Sequence, residues 1–258
     1  MDASDVLENS KLGTIRAPWV RPGLAAPWLE IIAVVFVVIG QSSFVSSWQA
    51  WHGSSHNFVT MLMTDGRMLR TVTNEGPLLG VLFIYLHWRG WRPTDLRIHF
   101  NWRSTGQGLL LLPGMAIANW VVVGISFLAF YSLQTHYHSV LQFAASLSPR
   151  LKFHNLHVSW LTIVPALILN GFFEEITCMG YAFNQFAAKR GPFFALILTV
   201  LLRMSCHTYQ GPIHALGIGA AFLVSGLVYW WTRNLWPLIL AHILADSISF
   251  AAIRFVFG

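Results

Sequence analysis

Charge is scarce in this chain. Of 258 residues only 10% are Asp, Glu, Lys or Arg, against about 25% in an ordinary soluble domain. So few charges cannot cover the surface of a soluble 29.0 kDa protein, which excludes a soluble enzyme and a disordered tail. Cysteine is scarcer still. The two present, Cys178 and Cys206, both fall within apolar runs. A disulfide framework needs more cysteines in exposed loops, so these are read as reduced thiols packed as small hydrophobes. A cleavable signal sequence is not expected, because the first apolar run begins only near Ile31, after a polar stretch. Internal repeats, low-complexity tracts and linkers are lacking as well, which argues for one domain.

Apolar residues fill the space that charge leaves. They make up 55% of the chain, with 12 Trp and 19 Phe and a mean hydropathy of +0.57. The fold class expected is all-α, a polytopic transmembrane bundle of seven or eight spans. Stretches of about 20 mostly apolar residues occur near 28–48, 75–91, 105–132, 157–184, 192–209, 213–232 and 235–257. Residues 1–27 read as a cytoplasmic N-terminal segment and 28–258 as one membrane-embedded domain. Trp48, Trp51, Trp88, Trp91, Trp102, Trp230, Trp231 and Trp236 lie near proposed span ends, as an interfacial aromatic belt would. In the stretches 49–74 and 133–156, Phe58–Met63 is the best candidate for a short surface helix.

The net charge of +6 suggests no nucleic-acid partner here, since basic residues of membrane proteins gather in cytoplasmic loops. Lys11, Arg16, Arg21, Arg89, Arg92, Arg97, Arg103, Lys189, Arg190 and Arg233 fall on one side of the expected spans. Only Arg67, Arg70, Arg150, Lys152 and Arg254 fall on the other. The bias puts the N-terminus in the cytoplasm, with a bacterial inner (plasma) membrane as the expected location.

Acids and histidines inside the spans carry the chemistry. Glu174, Glu175, Arg203, His207, His242 and Asp246 all lie within expected spans. An ionisable group there costs at least about 2.5–3.5 kcal/mol and therefore faces the bundle interior, usually for a purpose. At 1.5 Å per residue, Glu174 and His207 both lie ~22–24 Å from the turn at Lys189–Pro192, while His242 and Asp246 lie ~14 and ~20 Å from Arg233. His242 and Asp246 are four apart and share a helix face. One buried layer can thus hold all four. A carboxylate and an imidazole can share a water, take its proton and direct the hydroxide at a carbonyl. A second imidazole can meet the oxyanion. The alternative is a Zn²⁺ ion held by Glu174, His207 and His242, activating the water itself. The spacing leaves both open: no cofactor in the first case, zinc in the second.

The order Glu174-Glu175-Ile-Thr-Cys-Met179, then Arg203-Met-Ser-Cys-His207, then His242-Ile-Leu-Ala-Asp246 resembles the three motifs of the CAAX-type intramembrane proteases. That family includes the bacteriocin-processing and abortive-infection-like proteins. The resemblance covers about residues 160–250, within an expected protease-like core at 157–257. It implies that Glu174 is the general base, that His207 positions and polarises the water, and that His242 with Asp246 faces the oxyanion. Glu175 is implied to be structural, held by a cation. The implied partners are the lipid bilayer and a membrane-associated peptide or protein substrate. Two positions depart from the pattern. Met179 stands where relatives have Arg, and Arg203 where they have Phe. Arg203 is therefore expected to reach across to Glu175 in place of the missing arginine, with Met179 filling the space the Phe leaves.

Three rival readings are open to the sequence. A rhomboid-like serine protease would rest on Gly124-Ile-Ser126, a pattern common by chance. A proton-coupled transporter would show polar clusters in both halves of the chain, whereas here they lie only in the second. A non-catalytic scaffold or immunity-type protein would keep the same fold with a dead site.

Overall fold

A computed structural model of the chain describes residues 19–51, 64–134 and 158–257. Phe58–Met63, His52, His56, His136, His138, His154 and His157, and Lys11, Arg16, Arg150 and Lys152 lie outside the described residues. No strand occurs among those described. Helix α1 (Trp28–Val35) runs through a π-helical turn (Phe36–Gly40) into α2 (Gln41–Trp51). Helix α3 covers Asp65–Trp88 and α4 covers Trp102–Gln134. Helix α5 (Trp160–Glu175) continues through a π-helical segment (Ile176–Phe183) into α6 (Asn184–Arg190). Then come α7 (Pro192–Cys206), α8 (Pro212–Thr232) and α9 (Trp236–Phe257).

Among the described residues four helical stretches are long and apolar enough to cross a membrane: Trp28–Trp48, Trp102–Ala129, Trp160–Arg190 and Pro212–Thr232. Pro192–Cys206 and Trp236–Ala252 are shorter apolar helices. The protein is an integral, multi-pass, all-α membrane protein. Helix α3 departs most from the sequence expectation, starting ten residues before the apolar run at 75. Its first turn is polar, so hydropathy does not mark it, but it is capped. The Thr64 hydroxyl accepts from the Arg67 amide, 3.3 Å. Asp65 then ties this turn to the start of α5, accepting from the Ser159 amide at 2.8 Å and from the Thr162 hydroxyl.

Turns are made where the sequence has Gly-Pro. Gly191 and Gly211 have φ of +85° and +100°, conformations open to glycine, and each is followed by proline at a helix start. The connections carrying most of the described basic residues are laced together at one end of the bundle. Arg21 bonds to the Gly90 carbonyl and Asp95, 2.6 and 3.1 Å. The Leu235 amide donates to the Arg97 carbonyl, and Gln185 bridges Leu24 and Ala26. Val20, Leu24 and Ala26 are buried in the common core, so the last residues of the N-terminal segment belong to the folded body. Of the expected aromatic belt, Trp48, Trp51, Trp88, Trp102 and Trp231 are exposed. Trp91 is buried against Tyr181, and Trp236 packs on Phe100.

Candidate active site

Glu174 and Glu175 are the last residues of α5, and the π-helical segment starts directly after them. All eight residues of that segment are buried, and π turns inside α-helices recur at functional sites. Glu175 is only 1% exposed and faces Arg203 of α7, itself 2% exposed. Arg203 Nη1 donates to Glu175 Oε1 across 2.7 Å. The contact is single rather than the two-pronged fork an isolated pair favours. Glu175 Oε2 and Arg203 Nε and Nη2 are buried without a hydrogen-bond partner among the described residues. His242 Nδ1 lies 2.9 Å from the same Oε1, and the guanidinium carbon rests 4.0 Å from the centre of the Phe222 ring, a cation–π contact. The methyl end of Met179 packs against Gly226, one turn along α8 from Phe222.

Helix α9 supplies His242 and Asp246. A carboxylate only accepts hydrogen bonds, so His242 Nδ1 carries a proton toward Glu175. His242 Nε2 lies 3.5 Å from Asp246 Oδ2, and Asp246 accepts from Asn170 Nδ2 at 3.0 Å. Both nitrogens of His242 therefore face carboxylates. The close approach behind this is set by Gly171, where a Cβ would come within 2.5 Å of Ile243.

His207 is not inside a helix. It terminates α7 with φ −109° and ψ 5° and opens a 3₁₀ turn, Thr208–Gln210. That turn is held by the polar face of α2. Ser46 Oγ accepts from the Tyr209 amide and shares a hydrogen bond with Thr208, each 3.1 Å, and Ser43 meets Cys206 at 3.0 Å. Gln210 Nε2 lies 3.4 Å from His207 Nδ1. With the amide as donor, the imidazole proton is on Nε2, a buried atom with no partner among the described residues. The charges acting on His207 are those of Glu174, Asp246, His242 and Arg203.

Glu174, Glu175, Arg203, His207, His242 and Asp246 thus occupy one polar layer within the apolar bundle. Among the described residues no group of three His, Cys, Asp or Glu side chains is arranged to hold a metal ion. Of Gly124 to Ser126 on α4, Gly124 has nothing within 4 Å of a Cβ and Ile125 is exposed, while Ser126 is half-buried. Three members of the layer escape the motifs. Asn170 is one turn before Glu174, Phe222 stands among Arg203, His207 and His242, and Glu75 of α3 has a buried, unpartnered Oε2. Asn170 and Glu75 are visible as polar residues in apolar runs, whereas a Phe in a membrane span carries no signal.

Fold and site together define a polytopic membrane protein with an acid–histidine layer buried in its helical core. Residues 156–248 match the family described as type II CAAX prenyl endopeptidase Rce1-like. This segment, which holds every residue of the layer except Glu75, is what the chain shares with that family. No curated protein and no solved structure matches the chain.

Proposed function

We propose that the protein is an intramembrane endopeptidase that hydrolyses a peptide bond of a membrane-associated substrate with a water activated by Glu174. The supporting observation is the polar layer itself: a carboxylate whose charge acts on a half-buried imidazole with a buried Nε2 that has no partner among the described residues, in the segment matching the CAAX prenyl endopeptidase family. Glu174 takes the proton from water as the oxygen attacks the carbonyl carbon. The oxyanion that forms is met by His207 Nε2–H, the imidazole donor without a partner. As the C–N bond breaks, Glu174 returns the proton to the leaving nitrogen. His242 is the second imidazole of the site. Held between Glu175 and Asp246, it presents a fixed, partly positive wall to the same oxyanion. Arg203 and Glu175 keep that wall in place. The basic, interlaced end of the bundle is assigned to the cytoplasm on the excess of Lys and Arg there, as is the N-terminus.

The test is proteolysis in liposomes. Purified protein is reconstituted with a library of single-span peptides, some ending in a prenylated cysteine motif, and new peptide ends are read by mass spectrometry. The expected result is new ends with wild type and none with Glu174→Gln at matched folding. Identical peptide sets in the two samples overturn the proposal.

A further inference from the structure

Glu75 lies outside the matched family segment, on a helix that no motif marks. Three contacts place it at the level of the layer. A Cβ at Gly76 would lie 3.8 Å from Leu169 Cδ2, so α3 meets α5 there. The next residue of α5, Asn170, bonds to Asp246, and Gly171 abuts Ile243. Asn170 and Glu174 are four apart on one face of α5. The charges acting on Glu75 are, in order, Glu174, His242, Asp246 and Arg67. Its Oε2 is buried and has no hydrogen-bond partner among the described residues; such a group in a dry interior is costly, which marks it as a candidate for a function.

We propose that Glu75 is a positioning residue acting through Glu174, the second carboxyl of a relay that carries the water proton to the leaving nitrogen. The inference rests on the proteolytic reading above. As the water oxygen bonds to the carbonyl carbon, its proton passes to Glu174 and on to Glu75. When the C–N bond breaks, the proton returns by the same path to the nitrogen. One proton leaves the water and one arrives at the amine. Splitting its stay over two carboxyls lets Glu174 remain a base while the tetrahedral intermediate lives.

The experiment has two arms. In the first, wild type, Glu75→Gln, Glu75→Asp and Glu174→Gln are compared in the liposome assay, with thermal unfolding in detergent alongside. Glu75→Gln is expected to lower kcat at least ~10-fold while KM and Tm stay near wild type. Glu75→Asp, which keeps the carboxyl, should fall between. A wild-type kcat in Glu75→Gln overturns the relay while leaving Glu174 as base. If Glu75→Gln does not fold, Glu75→Asp decides, since a relay is sensitive to distance: lowered kcat at unchanged KM supports it, and wild-type kcat overturns it. Wild type and Glu174→Gln both inactive on every peptide would overturn the proteolytic reading and the relay with it. The second arm needs no activity. In a Cys178→Ala/Cys206→Ala background, Glu75→Cys and Glu174→Cys are treated in membranes with a short flexible bismaleimide. A cross-link between the two peptides is expected, and its absence overturns the juxtaposition.

Discussion

Arg203 and Glu175 carry the clearest single-residue consequence. Each is almost completely buried, so deleting either leaves the other as an uncompensated charge, at a cost of about 3–5 kcal/mol. Arg203→Phe is therefore expected to lower Tm sharply in detergent. Arg203→Phe combined with Met179→Arg should regain most of that loss, because the cation then comes from the π-helical segment. Additive destabilisation in the double variant would contradict the swapped-partner idea. This pair was legible in the sequence as two complementary departures, one in each of two motifs. Its single-pronged geometry was not, because nothing in the spacing tells that His242 competes for the same oxygen or that Phe222 takes the guanidinium face. Asp65 gives a second residue-scale prediction, at the polar start of α3. Hydrogen bonds from Thr162 and Ser159 hold its carboxyl below the ordinary value of 3.8. A depressed folded value means stability that is present above the unfolded value and lost as pH falls through the folded one. Tm should thus drop more steeply below about pH 4 in wild type than in Asp65→Asn. Superimposable Tm–pH curves would rule this out.

Helix ends and close approaches decide the site at the scale of elements. Hydropathy gave the middle of every described span, since a 20-residue apolar run has few other homes. It missed the first turns of α3, which are polar and are fixed by Thr64 and by the Asp65 tie to α5. It also left His207 inside a helix. The stop at Cys206 comes from tertiary contacts, with Ser43 and Ser46 of α2 gripping the turn that follows. Ser46→Ala removes the acceptor of the Tyr209 amide and the partner of Thr208, two bonds in a buried position. The expected cost is about 1–3 kcal/mol. Activity should fall further than stability implies, because His207 moves with the turn. An activity loss no larger than the unfolded fraction would show that the grip is only structural. Gly171→Ala probes the other approach. Its Cβ would meet Ile243 Cγ1 at 2.5 Å, pushing α9 and Asp246 off Asn170 and costing about 1–3 kcal/mol. Unchanged Tm would show that α9 yields freely there.

As a whole, the molecule brings chemistry from four helices into one layer while its charged connections lock one end. The three motifs made α5, α7 and α9 legible as the donors of that layer. Glu75 of α3 stayed hidden because helix packing, not sequence order, brings it there. The central claim is that Glu174 and His207 serve one water and the oxyanion it produces, and groups acting as a unit in one step show non-additive losses. The direct measurement is the rate of peptide cleavage by wild type, Glu174→Gln, His207→Ala and the double variant, all folded and in the same liposomes. Each single substitution is expected to lose ~10²–10⁴-fold, and the double should lose no more than the worse single. A Glu174→Gln rate within a few-fold of wild type, or losses that multiply in the double variant, would contradict it.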